Sequence, residues 1–198
     1  MSIGNPAYYD AEAGRYDDTR GGLPRARSAA AAVASLVPGG GTALDVAGGT
    51  GIVSAELARL GFSVLVADLS IGMLSVAASR LPGRVVAGSA DRLPVRDSSV
   101  DLVTVIWLLH LLAIPVADRV IGEASRVLRP GGHLVTTVDK DLAHGRVRRT
   151  NADHGERVAA VARRQGLESV GGASFVAETR WPSAQGGQVF AVSAFRAG

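Results

Sequence analysis

"TALDVAGGTGIVSAELARLGFSVLVADLS", residues 42 to 70, decides how the chain is read. A short apolar run, 42–47, meets a glycine-rich turn. A helical pattern then fills 51–61, and a second apolar run, 62–70, ends on an acid. Strand, turn, helix and strand at this spacing make a βαβ unit, and therefore a parallel sheet. The pattern continues with a helical "GMLSVAASRL" (72–81), a β-rich "RVVAGSA" (84–90) and the β-branched "SSVDLVTVIWLL" (98–109). An amphipathic "VADRVIGEASRVLR" (116–129) and a fifth strand, "GGHLVTTVD" (131–139), follow, with "RPGG" expected to stop the helix. Upstream, the alanine-rich "PRARSAAAAVASLV" (24–37) predicts a helix ended by Pro38 and Gly39–Gly41. After a helical 154–168, two β-like runs (169–181 and 187–197) are separated only by "PSAQGG". That connector is too short for a helical crossover, so the last two strands should pair antiparallel. The expected fold is α/β: a Rossmann-like, doubly wound seven-stranded sheet, mostly parallel with an antiparallel last strand. Ligands of such sheets bind outside the carboxyl ends of the strands.

Composition narrows the class. A chain of 198 residues is one domain by length. At this size about 70% of the unfolded chain's surface is buried, enough for a core without staples. There is no cysteine, which removes disulfides, thiolate metal sites and a thiol nucleophile. The net charge is only +3, one lysine (Lys140) is present, and the arginines are scattered apart from Arg146, Arg148 and Arg149. A nucleic-acid binder would show a dense basic stripe with aromatics between the charges, so none is expected as partner. The longest apolar stretch, "LVTVIWLLHLLAIPVA", is broken by His110 and Pro115 and is too short to span a bilayer. The N-terminus has no charged-then-apolar leader pattern. No membrane association is expected, and the expected location is cytoplasmic.

The glycine turn "DVAGGTG" admits three readings. A dinucleotide loop needs G-x-G-x-x-G; from Gly49 the chain gives G-T-G-I-V-S, and Asp45 would stand near the pyrophosphate and repel it. A phosphate loop needs a lysine followed by Ser or Thr, which is absent. A nucleoside ligand bearing positive groups and no phosphate fits all the signs, and S-adenosyl-L-methionine is such a ligand. Asp45 would face its cationic part, Ala47, Gly48, Gly49 and Gly51 would allow close backbone approach, and the next helix would offer free amides. Asp68, after the second strand, can accept both ribose hydroxyls, or alternatively cap the following helix. Asp91, after the third, can accept from an adenine amino group, with Leu69 and Arg92 beside the two acids and Met73 over a ring face. Asp45 can serve instead by holding the glycine loop through its amides, so both roles stay open.

"LDVAGGTG", "VADLSIGML", "GSADRLPVRDSSVDLV" and "EASRVLRPGGHLV", in this order over residues 43–138, resemble the class I S-adenosylmethionine-dependent methyltransferases. The likeness is strongest to the branch with the ubiquinone and menaquinone biosynthesis and natural-product enzymes. "YYDAEAGRYDD" resembles that branch's N-terminal segment. The resemblance implies that Asp68 binds ribose, that Ala90 and Asp91 bind adenine, and that Asp45–Gly51 surrounds the methionyl part. It implies Ile106 and Trp107 at the ligand's ammonium, and Tyr16 and Arg20 closing over from the N-terminus. It also implies methyl transfer to a small-molecule acceptor at O, N or C, in biosynthesis of a secondary metabolite or quinone-like compound. The alternative is the same fold acting as a cyclase, a decarboxylase or a non-catalytic partner. A "[DN]PPY" segment for base methylation is missing; that place reads "IWLL".

The chain is expected to divide into an N-terminal lid (1–22), a cofactor-binding core (23–139) and a substrate-side helix and hairpin (140–198). The segment 140–150 is shorter than the lid insertion of many relatives, which leaves room for a lid lent by a second copy in a homodimer. His110, following the fourth strand, is the candidate general base, since histidine titrates near neutrality. His144 and His154 are secondary candidates, and His133 is expected to be structural.

Overall fold

The computed structural model describes residues 6–143, 151–177 and 187–198. Three short elements open the chain: α1 (Pro6–Glu12), a 3-10 turn, and α2 (Tyr16–Thr19). The core follows as α3 (Gly22–Ala34), β1 (Thr42–Val46), α4 (Ile52–Arg59), β2 (Ser63–Asp68), α5 (Ile71–Arg80), β3 (Val85–Ala87) and β4 (Val100–Val105). Then come α6 (Ile114–Val127), β5 (Leu128–Val138), α7 (Lys140–Ala143), α8 (Gly155–Arg164), β6 (Leu167–Ala177) and β7 (Gln188–Ala197).

One seven-stranded sheet has the order β3-β2-β1-β4-β5-β7-β6. Strands β1 to β5 are parallel, and β7 runs antiparallel between β5 and β6. The expected sheet is therefore the one observed, and its final hairpin pairs in the expected sense. Helices α3, α4 and α5 cover one face, where Ala30, Val33, Val53 and Leu57 meet Val64, Leu102 and Phe190. On the other face, Val120, Ile121, Ala124 and Val127 of α6, with Val158 and Val161 of α8, pack on Leu44, Val103 and Leu134. Apolar residues on alternate strand positions point to opposite faces, so both helical layers find a partner.

Two boundaries differ from expectation. Helix α3 ends at Ala34, four residues before Pro38, with Ser35 hydroxyl donating back to the Ala32 carbonyl. Helix α6 ends at Val127, and "RPGG" lies within β5 rather than before it: Leu128 pairs with Val100, and a register irregularity between Val100 and Leu102 absorbs the extra residues. The chain leaves β1 for β2 on one side and β4 lies on the other, so strand order reverses between β1 and β4. A crevice opens at their carboxyl ends, where such sheets hold ligands.

Candidate cofactor and acceptor site

A cavity of about 260 Å³ occupies that crevice. Its floor begins at β1. Asp45 is 2% exposed and accepts hydrogen bonds from Ser54 Oγ (2.5 Å) and Thr104 Oγ1 (2.7 Å). Thr104 is its register partner on β4, so parallel pairing itself delivers that hydroxyl. Burial pushes the Asp45 carboxyl up to about 6, although both hydroxyls pull it down. The reading in which Asp45 holds the glycine loop through amides is corrected: its partners are the two side-chain hydroxyls.

The loop itself wraps closely over this acid. A Cβ at Gly48 would stand 2.8 Å from Asp45 Oδ2 and 2.9 Å from a Val66 methyl, so only glycine allows the approach. Gly49 has φ +58° and Gly51 φ +69°, the left-handed region where side chains are strained. Three amides of the loop are already engaged within the protein. Gly48 N donates to Ala67 O, Gly51 N to Gly48 O, and Gly49 N to Asp68 Oδ2 at 2.9 Å. Asp68 also accepts from Ser70 N, and it is not the cap of α5. That role belongs to Ser70, whose hydroxyl accepts from Met73 N. Asp68 thus ties the glycine loop to the β2–α5 turn, and burial raises its pKa.

Asp45, Ala47, Gly48, Gly49, Asp68, Leu69, Met73, Ala90 and Asp91 line the cavity, and so do Tyr16, Ile106 and Trp107. Asp91 accepts from Ser89 Oγ and from the Arg119 guanidinium, which together hold its carboxyl below the usual range. Four expected residues stand elsewhere. Gly51 caps α4 and sits against Ala77, Arg20 lies over the Tyr16 ring at 5.5 Å, and Arg92 is exposed and pairs with Ser89. His110 is buried, and its Nε2 is 2.7 Å from Lys140 Nζ. Its neighbours Leu108, Leu111 and Leu112 line the cavity, and His110 does not. His133 lies inside β5 between Leu102 and Arg196, and His154 precedes α8 as its N-cap. His144 and Arg146, Arg148 and Arg149 fall outside the described residues.

Beside Tyr9, a candidate lid residue of the N-terminal segment with Tyr8 and Tyr16, the structure adds apolar residues that the sequence did not mark. Tyr9 lines the cavity, its hydroxyl pushed up to about 12 chiefly by burial, so it is a neutral donor. Leu108, Leu111, Leu112, Val116 and Val120 give the cavity an apolar wall. Non-glycine residues with positive φ stand just past three strand ends: Ala47 (54°) after β1, Trp107 (60°) after β4 and Asp139 (51°) after β5. Such backbone is uncommon and needs external support. For Trp107 the support is its N–H, which donates to Thr137 Oγ1 at 2.7 Å. A lone aromatic in an apolar run carries no sign of this.

Glycine cradle, buried acid and two further acids after successive strands fit a nucleoside with cationic groups, and the cavity has that donor set. The comparisons agree. Residues 44–136, a little under half of the chain, match the family model described as "Methyltransferase domain". Two curated relatives are both described as demethylmenaquinone methyltransferase. One, from Mycobacterium sp. (strain KMS), is 41% identical over 134 residues, 64% of this chain and 56% of its own length. Another, from Beutenbergia cavernae, is 45% identical over 93 residues, 46% of this chain and 38% of its own length. The chain thus spans about half the length of these relatives, or less. Among solved structures, a TehB-like methyltransferase from Corynebacterium glutamicum superposes with TM-score 0.71 at 22% identity, covering 98% of this chain and all of that one. The (4+2)-cyclase SpnF does so with TM-score 0.72 at 20% identity, covering 100% and 96%. At such identities the likeness shows the fold alone, a fold that serves more than one chemistry.

Among the described residues, no helix is long and apolar enough to cross a membrane, and no cluster of metal-binding side chains occurs.

Proposed function

We propose that the chain transfers a methyl group from S-adenosyl-L-methionine to a small, largely apolar acceptor. The observation that carries this reading is one cavity with two unlike kinds of lining. Asp45, Asp68, Asp91 and the glycine loop supply the polar groups, and Leu108, Leu111, Leu112, Val116 and Val120 the apolar ones.

In this reading Asp68 receives the ribose hydroxyls and Asp91, with Ala90, the adenine edge, while Leu69 and Met73 pack beside the base. Asp45, with Ala47, Gly48 and Gly49, faces the cationic methionyl part. The left-handed backbone of Trp107, with Ile106, turns toward the ammonium. When bound, the cofactor supplies a methyl group already activated for in-line displacement. The protein's own task is orientation, which can contribute on the order of 7–11 kcal/mol when the reacting atoms are held in line. Tyr9 and Tyr16 close the open side and exclude water. A quinol-like ring suits the apolar wall, in keeping with what the curated relatives are said to methylate. His110 reaches this site only through the Leu109–Leu111 turn that carries it, and is not assigned as the base. The same reading keeps a division into an N-terminal lid (1–22), a cofactor-binding core (23–139) and a substrate-side region (140–198). A cytoplasmic protein, monomeric or paired as a homodimer, without nucleic acid as partner, completes the proposal.

Calorimetric titration with S-adenosylhomocysteine and with NADH tests the cofactor. Micromolar binding of the first and none of the second is expected, and the reverse overturns the proposal. Incubation with methyl-labelled cofactor and naphthoquinols then reads transfer. Tight cofactor binding with no labelled product from any quinol, phenol or amine would favour the cyclase-like alternative.

A further inference from the structure

Behind the Trp107 wall, α3 places a guanidinium where little else is polar. Arg25 is 8% exposed. Its Cζ stands 3.6 Å from the Trp107 ring centroid and 5.1 Å from that of Phe190. Trp107, Phe175 and Phe190 pack mutually with centroids 5.5–5.9 Å apart, so the cation sits against an aromatic cluster. Ring faces stabilise a charge but accept no conventional hydrogen bond. Nη1 donates to the Arg20 carbonyl at 2.8 Å, and Nε has no partner. Its charged neighbour is Arg20, the nearby Tyr16 phenol is held neutral by burial, and among the described residues no carboxylate pairs with Arg25.

Two more buried polar atoms go unsatisfied among the described residues, and one of them belongs to the same cluster. Trp107 Nε1 lacks an acceptor, and Gln188 Oε1 lacks a donor. Gln188 is 8% exposed and stands two positions before Phe190 on β7, on the same face of the sheet. Buried polar groups are nearly always paired, and each exception calls for a reason. Two of these exceptions meet at one place, the Arg25 cation and the N–H of the indole it rests on, and the Gln188 amide stands one alternate strand position from Phe190. Trp107 belongs both to this cluster and to the cavity lining.

We propose that Arg25, Trp107 and Gln188 form a subsite for an anionic oxygen of the acceptor, a carboxylate or an enolate on an aromatic ring. The inference rests on the methyl-transfer reading for the role of that ligand, but not for its chemistry. The guanidinium supplies charge and the Nε donor, the indole a second donor, and the amide a partner for an adjacent hydroxyl. The ring itself would lie along the apolar wall of Leu108 and Leu111. Acceptors with a negative group beside the methylated ring are thereby preferred to neutral ones.

The test uses the full chain and two probes of equal size and different charge, 2-naphthoate and 2-naphthamide, titrated calorimetrically with and without S-adenosylhomocysteine. Wild type should bind the carboxylate at least tenfold more tightly than the amide. Arg25→Gln should abolish that preference and change S-adenosylhomocysteine affinity less than threefold. Arg25→Lys should keep part of the preference, and Trp107→Phe, which retains a ring and loses the N–H, should reduce it severalfold. Equal affinity of wild type for the two probes, or no binding of 2-naphthoate at millimolar concentration, overturns the proposal. So does a tenfold loss of S-adenosylhomocysteine affinity in Arg25→Gln with the probe preference intact, which would assign the guanidinium to the cofactor's own carboxylate. If Arg25→Gln fails to fold, wild type and Trp107→Phe decide the matter with the same probes. Failure of wild type to bind S-adenosylhomocysteine would count against the methyl-donor reading, while the probe comparison without it still decides the subsite.

Discussion

Asp45 combines nearly complete burial with two hydroxyl donors and, among the described residues, no cation paired with it. Its carboxyl is raised from the usual 3.8 to about 6, with burial as the leading cause. A carboxyl whose pKa is higher in the folded state stabilises the fold when protonated. That contribution is fully present below about pH 3.8 and is lost as pH rises through 6. At pH 8 the ligand-free protein therefore carries an unfavourable ionised group, which a cationic ligand would offset. Asp45→Asn removes the charge and keeps the shape, and the Ser54 and Thr104 hydroxyls can rotate to suit the amide. The variant should be more stable than wild type by about 1–3 kcal/mol at pH 8, since each tenfold change in proton affinity is worth about 1.4 kcal/mol. The advantage should shrink toward zero near pH 4. Urea titrations at the two pH values measure it. At the same time S-adenosylmethionine affinity at pH 8 should fall by tenfold or more. A variant both less stable at pH 8 and unchanged in affinity would remove Asp45 from the cofactor's surroundings.

Among the elements, α1 and α2 are the least expected in their fixing. Two acids join them to the two turns that frame the cofactor site. Asp10 on α1 accepts from Ser70 Oγ (2.6 Å) and Gly72 N (2.8 Å) at the start of α5. Asp17 on α2 accepts from Thr50 Oγ1 (2.6 Å) beside the glycine loop and from Arg80 (2.5 Å) at the end of α5. Arg80 also donates to the Thr50 carbonyl, so loop, helix and N-terminal segment share one network. The segment rests closely on α5: a Cβ at Gly72 would meet the Asp10 backbone at 2.8–2.9 Å. Gly72→Ala should therefore lift α1 from α5, even though alanine favours helix by about 1 kcal/mol over glycine. The core would keep its stability or gain slightly, while cofactor dissociation, followed by stopped-flow tryptophan fluorescence, should quicken by about tenfold. Asp10→Asn with Asp17→Asn should act in the same direction without the steric change. Unchanged dissociation in both would show that Tyr9 and Tyr16 do not close the site.

For the molecule as a whole, the sheet was legible because its rules are periodic. Apolar runs, the glycine turn and the acids after β1, β2 and β3 follow from strand alternation and from where the chain must turn. The short connector between the last two runs fixed their antiparallel pairing. Features set by contacts between distant segments were hidden. Nothing separates Arg25 from Arg27 in "PRAR", yet one is buried against Trp107 and the other is exposed beside Glu56. His110 looked poised because it follows β4, but a 3-10 turn at Leu109–Leu111 sends it to Lys140. Side-chain direction in such a turn depends on neighbours thirty residues away. The division of labour across the sheet makes a last prediction. If β3-β2-β1-β4 holds the cofactor and β5-β7-β6 shapes the acceptor side, S-adenosylhomocysteine should protect amides unevenly in hydrogen exchange. Protection should rise in α1 and α2, in the glycine loop and in the turns after β2 and β3. Paired amides of β6 and β7 away from Gln188 should gain only what global stabilisation gives. At a hundredfold excess over Kd that stabilisation is about 2.7 kcal/mol, which for a chain of this size raises Tm by roughly 5–11 °C. Added protection centred on the β6–β7 hairpin instead would place the nucleoside on the β5-β7-β6 side and reverse the assignment.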